Sequence, residues 1–319
     1  MAGIAMSLAG IAILAALVLS AGAPSLLASL TGLIASPTAT PSPTATVAPT
    51  PTSTATSTAT PTSTPQPPFP TDHLWLVPPI GPGGNAAVDR FYPYGSMGGG
   101  SLRIHHGVEF QNPPGTSVIS AADGIVVVAG TDAEIVYGVR TNFYGNLVIV
   151  RLEQEYRGHE MFTLYAHLSS IAVSVGEQVS TGEPLGEVGM TGGAFGPHLH
   201  FEVRVGPNRY SNTRNPELWL QPTDGHGVLA GRVTDSAGTS IPEALITVHP
   251  LADPARRLAE TMTYPSGEVR ADDDWEENFA IGGLPSGEYL VRARVDGRVY
   301  ASQIVVSSGQ TTFVKLVAA

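Results

Sequence analysis

The chain has 319 residues, enough for two domains of ordinary size plus extensions, and a formal net charge of −11 at pH 7. With 16 lysine and arginine residues against 27 aspartate and glutamate residues, it offers few cations for phosphate contacts, so we expect no nucleic-acid partner. The absence of cysteine excludes disulfides and cysteine-ligated zinc, so any zinc site must use histidine, aspartate or glutamate.

Residues 2–23 are almost entirely apolar and carry no charge, a pattern typical of a signal peptide or a membrane-spanning helix. Ala21-Gly22-Ala23 fits the small-x-small pattern of a cleavage site. No lysine or arginine precedes Arg90, so the basic start of a signal peptide is missing and the charges indicate no orientation. We predict an exported protein, extracellular or at the cell surface, in which residues 1–35 are a cleaved signal peptide or a membrane anchor.

Residues 36–70 are predicted to be a disordered linker. Positions 36–68 consist mostly of proline, threonine, serine and alanine, without an aromatic or charged residue. Such a composition cannot bury enough apolar surface to offset the entropy lost on ordering. Its prolines favour an extended, semi-rigid spacer, which we expect to hold the following domains away from a surface.

Residues 71–223 are predicted to form an all-β domain. Loop signals such as Gly98-Gly99-Gly100 come first, and short apolar runs such as 125–128 and 161–166 follow between glycine turns. Many short strands with almost no helical periodicity indicate antiparallel sheet. A short helix or turn around Trp219 is expected to close the domain, with the indole in the core.

Four aromatic residues precede the first of these runs, and they allow two interpretations. Trp75, Phe91, Tyr92 and Tyr94 either line one side of a substrate groove or pack in the interior. Packing is the commoner role of such side chains.

His105 and Glu109 are four residues apart, with Gly107 between them. In an extended segment all three positions lie on one face, and a glycine there would leave room for an ion. The polar pair is therefore a candidate for metal binding.

A second polar pair follows the Gly196-Pro197 turn. Apolar and polar residues then alternate, which predicts a strand with His198 and His200 on one face. Both imidazoles can approach one metal ion, or one can bind it while the other handles a proton. For so short a motif, ordinary solvated or core histidines are the alternative.

Together, His105, Glu109 and His200 make a set of two imidazoles and one carboxylate. That set suits zinc with an open fourth position, the mark of a catalytic rather than a structural site. His167, between Ala166 and Leu168, offers a second uncommitted imidazole beside His198.

The His-x-x-x-Glu, Tyr-x-His-Leu and Gly-Pro-His-Leu-His-Phe-Glu motifs, in this order, resemble the lysostaphin-type M23 (LytM-like) zinc metallopeptidases across about half of the chain. The resemblance implies that His105, Glu109 and His200 bind Zn²⁺, and that His167 and His198 are the catalytic histidines. Glu109 departs from the pattern, because the family has aspartate there. Glutamate is a legitimate zinc ligand, although its extra methylene moves the carboxylate by roughly one bond length.

The resemblance implies an exported metalloendopeptidase that hydrolyses peptide bonds of peptidoglycan, in cell-wall remodelling or lysis. The alternative is a catalytically impaired homologue that binds wall peptide or activates another hydrolase. Glu109 favours this alternative, whereas the retention of all four histidines argues against it. A third hypothesis is a surface adhesin that binds through its C-terminal region.

Residues 227–319 are predicted to form a β-sandwich, because strand patterns alternate with glycine and proline turns. The region is similar to the carboxypeptidase-regulatory-like, transthyretin-like modules of secreted bacterial proteins. It contains no histidine–carboxylate cluster of its own, so we expect it to bind a wall or surface partner and to be dispensable for the chemistry. The acidic run 272–277 is predicted to be a solvated loop, with a cation site as the alternative.

Overall fold

The computed structural model of the chain describes residues 70–265 and 267–319, which belong to one compact unit. The predicted signal peptide or anchor, and the linker up to residue 69, lie outside the described residues. Within the described part, no helix is long and apolar enough to span a membrane.

The described chain is almost entirely β, with 44% of residues in strands and 2% in helices, which confirms the predicted fold class. Its strands are β1 (Val108–Gln111), β2 (Ser117–Ile119), β3 (Gly124–Thr131), β4 (Asn146–Leu152), β5 (Met161–Ala166), β6 (Leu168–Ile171), β7 (Gln178–Val179), β8 (Pro184–Val188), β9 (His198–Val205), β10 (Thr213–Arg214), β11 (His226–Asp235), β12 (Leu245–Pro250), β13 (Ala259–Met262), β14 (Phe279–Pro285), β15 (Gly287–Val295), β16 (Arg298–Val306) and β17 (Thr311–Ala318). Two single-turn 3-10 helices span Tyr210–Asn212 and Pro216–Leu218.

The largest sheet is antiparallel and has the order β1-β9-β5-β4-β3-β7, with β10 also paired to β9. Both of its faces are covered, because alternate residues of β4 enter two different core clusters: Val148 and Val150 one, Leu147 and Ile149 the other. This explains why β4 is a nearly continuous apolar run. A smaller sheet has the order β2-β8-β6, and its strands alternate along the chain with strands of the large sheet.

The C-terminal strands form two sheets of order β14-β11-β17 and β13-β12-β15-β16. Residues from both sheets, such as Leu229, Phe279, Val248 and Val291, share one buried cluster. Two sheets enclosing one core agree with the predicted sandwich architecture. The similarity to carboxypeptidase-regulatory-like modules, and the boundaries at 71–223 and 227–319, stay predictions.

The C-terminal region also contributes to the core of the N-terminal sheets. Val228, Tyr264 and Trp275 belong to the same buried cluster as Trp219, whose predicted place in the core is confirmed. A separable pair of domains would keep two separate cores, whereas here apolar surface of each is buried against the other.

The prediction of a solvated loop at 272–277 is correct only in part, because Asp273, Asp274 and Glu276 are exposed whereas the other acidic side chains are not. Asp272 and Glu277 are each only 1% exposed. Tyr156 donates its hydroxyl to Asp272 Oδ1 over 3.0 Å, and Tyr264 donates to Glu277 Oε1 over 2.9 Å. These carboxyl groups can be buried because tyrosine hydroxyls supply hydrogen bonds to them.

Candidate active site

Strand pairing brings the two predicted polar pairs together. In the register of β1 and β9, Glu109 lies directly opposite His200, and on the other side of β9 Ala166 lies opposite His200. Directly opposed side chains of antiparallel strands share a face. His198 is two residues before His200 on β9 and therefore joins the same face, as the alternation predicted.

Three buried ligand atoms meet at this point. His105 Nε2 lies 2.9 Å from Glu109 Oε1 and 3.2 Å from His200 Nδ1, and His200 Nδ1 lies 3.1 Å from Glu109 Oε1. In a tetrahedral zinc site with bonds of about 2.0–2.1 Å, neighbouring ligand atoms are about 3.3 Å apart. The observed triangle is within a few tenths of an ångström of that spacing, so these residues fit zinc.

Hydrogen bonds on the far side of each ring orient the imidazoles of His105 and His200, the two candidate ligands. His105 Nδ1 lies 2.6 Å from the Tyr92 carbonyl oxygen, and His200 Nε2 lies 3.0 Å from Glu202 Oε1. Both partners are acceptors, so these two ring nitrogens carry the protons. His105 Nε2 and His200 Nδ1 are therefore the ring nitrogens that face each other and Glu109, which leaves them as the ones that a metal ion could take.

His167 and His198 complete the group. Their Nδ1 atoms each lie 2.8 Å from a backbone carbonyl oxygen, of Thr191 and Gly196 respectively. Their Nε2 atoms are thus the ring nitrogens that these backbone carbonyls leave available, and their ring centroids are 4.8 Å apart. His198 Nε2 is also 3.0 Å from Glu109 Oε2. All five predicted site residues are therefore brought together.

His167 has an unusual backbone conformation, with φ of +65°, in the single position between β5 and β6. A non-glycine residue in the left-handed region costs about 1–3 kcal/mol and persists only where the surrounding structure enforces it. The His167 amide donates to the Tyr144 carbonyl over 2.9 Å, and its ring is tied to Thr191. These bonds hold the imidazole toward His198.

The space left by Gly107 has a different use from the one expected. A Cβ at Gly107 would lie 2.5 Å from the Phe201 carbonyl oxygen and 2.8 Å from His200 Cε1. The glycine therefore makes room for the backbone of β9 and the imidazole of His200 rather than directly for an ion.

A buried polar row behind His200 is the part of the site that the sequence analysis missed. Glu202 Oε2 accepts from Arg204 Nε over 2.7 Å, and Tyr144 donates its hydroxyl to Glu202 Oε1. All three residues are fully buried. The same alternation that places His198 and His200 on one face of β9 also places Glu202 and Arg204 there, so the signal was present.

The charges in the cluster influence one another strongly. Burial opposes ionisation of Glu109, yet His200 and His105 hold the pKa of its carboxyl well below the ordinary value. Burial alone would lower the pKa of His200, but the Glu109 carboxylate outweighs it and raises the pKa to about 9. Burial lowers the pKa of His167 to about 3, so this ring is neutral near pH 7.

A cleft of about 620 Å³ opens over the cluster. Phe91 and Tyr92 line it, whereas Tyr94 is 1% exposed and Trp75 packs edge-on against Trp219, so the four aromatic residues divide between groove and interior. Phe195, also in the cleft wall, is 96% exposed.

The remaining histidines near the sheets are packed or paired. His106 stacks on Tyr210 at 3.9 Å and lies 2.9 Å from Thr213 Oγ1, and burial lowers its pKa to about 4. His73, expected at the surface or in packing, lies in the interior between Trp219 and Asp272, 3.3 Å from Asp272 Oδ2.

Comparison with known proteins gives a consistent result. Residues 103–215 match Peptidase family M23. The chain is 40% identical over 108 residues to the cell division protein DipM of Caulobacter vibrioides, covering 34% of this chain and 16% of DipM. It is 37% identical over 137 residues to the peptidoglycan DD-endopeptidase ShyA of Vibrio cholerae, covering 43% of this chain and 26% of ShyA.

Among solved structures, the catalytic domain of lysostaphin from Staphylococcus simulans is 30% identical, with a TM-score of 0.32, and the match covers 43% of this chain and 85% of that domain. The matched part of the chain spans only about a quarter or less of the length of the curated relatives DipM and ShyA.

Proposed function

Because residues 103–215 form a domain of peptidase family M23, we propose that the chain is an exported zinc metalloendopeptidase that hydrolyses peptide bonds of peptidoglycan. The observation that carries the proposal is the convergence of His105 Nε2 and His200 Nδ1 on the Glu109 carboxylate. Relatives named peptidoglycan DD-endopeptidase and lysostaphin support the substrate class.

His105, Glu109 and His200 would hold the zinc ion. Two neutral nitrogens and one anionic oxygen are the donor set of many catalytic zinc sites. Bound zinc would supply Lewis acidity, which polarises a peptide carbonyl and acidifies water.

His167 and His198 would do the proton transfer. Their Nδ1 protons are committed to backbone carbonyls, so Nε2 of either ring can take a proton from the attacking water and return it to the leaving amine. A ring that carries the proton also stabilises the negative charge that develops on the carbonyl oxygen. The strained backbone of His167 supports this role, because such strain is concentrated at functional positions.

A catalytically impaired homologue that binds wall peptide is the second candidate. The observation that favours it is glutamate at position 109 instead of the aspartate of the family. Against it, the Glu109 carboxylate reaches both imidazole ligands, at 2.9 and 3.1 Å, so the longer side chain still places an oxygen in the ligand position.

The test uses the full chain and purified peptidoglycan. We expect newly exposed amine ends in mass spectra of the digested wall, their loss after treatment with a zinc chelator, and their return when zinc is added back. A folded, zinc-loaded chain that binds the wall without cleaving it would establish the impaired homologue instead.

The apolar stretch 2–23 supports a location outside the cell, and cell fractionation tests that location. Two further points stay predictions: anchoring by this stretch, and wall binding by residues 227–319.

A further inference from the structure

We infer that the C-terminal region positions the metal ligand His105 through Tyr264, which makes Tyr264 a positioning residue of the zinc site. The inference rests on the proposed function, because it takes His105 as a ligand. It also revises the expectation that residues 227–319 are dispensable for the chemistry.

The first step is the segment 92–96, which contacts His105 on the side away from the other ligands. The ring of Tyr92 stacks on His105 with centroids 4.1 Å apart and planes within 9°, and the Tyr92 carbonyl accepts the Nδ1 proton. The amide of Gly95 donates to the His105 carbonyl over 2.8 Å, and the amide of His105 donates to the Ser96 carbonyl over 3.0 Å. A shift of this segment therefore shifts the orientation of the ligand ring.

The second step is the contact between this segment and the C-terminal region. Tyr94 is 1% exposed and its ring packs edge-on against Tyr264, with centroids 5.3 Å apart. The Tyr94 hydroxyl lies 3.1 Å from two carbonyl oxygens, one of Thr213 and one of Arg270. Gly95 has φ of +76°, and a Cβ there would lie 2.7 Å from Tyr264 Cδ1, so the backbone lies directly on the Tyr264 ring.

The third step is that Tyr264 is itself fixed. It is 7% exposed, donates its hydroxyl to Glu277 Oε1 over 2.9 Å and accepts from Asn215 Nδ2 over 3.0 Å. Asn215 lies in the family-matched region and Glu277 in the C-terminal region, so the ring is clamped by both. A rigid ring beneath Gly95 keeps the Tyr92 carbonyl in the position that selects the His105 tautomer.

The test measures zinc affinity of the full chain by competition with a chromophoric chelator, with folding checked by circular dichroism. We expect Tyr264→Ala to weaken zinc binding by about 10- to 100-fold, the range found when partners behind a metal ligand are lost. Tyr289→Ala is the matched control, because Tyr289 is also a buried tyrosine, 5% exposed, but lies in the core of the C-terminal sheets. It should change zinc affinity by less than about threefold.

Two further variants guard against general destabilisation. Tyr94→Phe removes only a hydroxyl and should weaken zinc binding a few-fold in a fully folded chain. In the His105→Ala background, Tyr264→Ala should not reduce the residual zinc affinity further, because the two residues act on one ligand.

The outcomes separate the two proposals. A wild-type chain that binds no zinc would overturn the proposed function. Wild-type zinc binding that is unchanged by Tyr264→Ala and Tyr94→Phe, or equally weakened by Tyr289→Ala, would overturn this inference alone.

Discussion

Glu202 Oε1 lies 3.0 Å from His200 Nε2, on the side of the imidazole that faces away from Glu109. The other oxygen of Glu202 is bound by Arg204, and burial, which opposes ionisation, is outweighed by Arg204 so that the pKa of Glu202 falls to about 2. A carboxylate at this position keeps the proton on His200 Nε2. Glu202 thereby decides that Nδ1 is the nitrogen available to a metal ion.

Glu202→Gln tests this role. The amide oxygen can still accept from His200, but the buried Arg204 loses its counter-charge. We expect zinc affinity to fall about 10- to 100-fold and the free energy of unfolding to fall by about 3–5 kcal/mol. Chelator competition and urea unfolding measure the two effects. The exposed Glu187→Gln is the control, and unchanged zinc affinity in folded Glu202→Gln would contradict the assignment.

The proposed role of Glu109 as the carboxylate ligand is tested with two substitutions. Glu109→Asp gives the family's residue and should retain zinc, whereas Glu109→Gln keeps the size but removes the anion and should bind zinc at least about tenfold more weakly. Zinc titration of wild type and both variants measures this. If only Glu109→Asp binds zinc, the natural chain is an impaired member of the family.

The division between ligands and proton carriers is tested with two histidines. His200→Ala should lower the zinc affinity sharply, because one of three ligand atoms is removed. His167→Ala should keep zinc and slow peptide hydrolysis by about 10²- to 10⁴-fold, the usual contribution of an acid–base group. Metal content and cleavage rate are measured for each, with the exposed His159→Ala as control. Full zinc occupancy in His200→Ala would refute the ligand assignment.

We expect the stability of the folded chain to depend on pH because of the buried carboxyl group of Glu277. Burial and the nearby Asp272 carboxylate raise its pKa to about 8. The folded chain therefore keeps a proton on Glu277 that the unfolded chain releases at lower pH. The contribution of Glu277 to the free energy of unfolding is then largest below the ordinary glutamate pKa and falls as the pH rises to about 8. We expect the free energy of unfolding to decline over roughly pH 4.5–8, by on the order of a few kcal/mol.

Glu277→Gln should remove this part of the decline. The amide cannot titrate, and any hydrogen bond that it loses shifts stability by a similar amount at every pH. Urea unfolding from pH 4.5 to 9 gives the slopes, with the exposed Glu288→Gln as control. Equal slopes for wild type and Glu277→Gln would contradict the assignment.

The all-β class and the five predicted site residues followed from local pattern. Strand geometry has a period of two, so His198 and His200 had to share a face wherever β9 lay. The three motifs in their order resemble a known family, and this resemblance assigned roles to the remaining site residues, His105, Glu109 and His167.

Only the tertiary structure decided which partner stands behind each ring, and which carboxylates are buried. The Tyr92 carbonyl selects the His105 tautomer, and Tyr264 supports that segment from about 170 positions further along the chain. The acidic run 272–277 has the composition of a solvated loop, yet two of its side chains, Asp272 and Glu277, are buried. Composition and spacing describe neighbours along the chain, whereas burial and hydrogen-bond partners depend on which distant strands return to the same place.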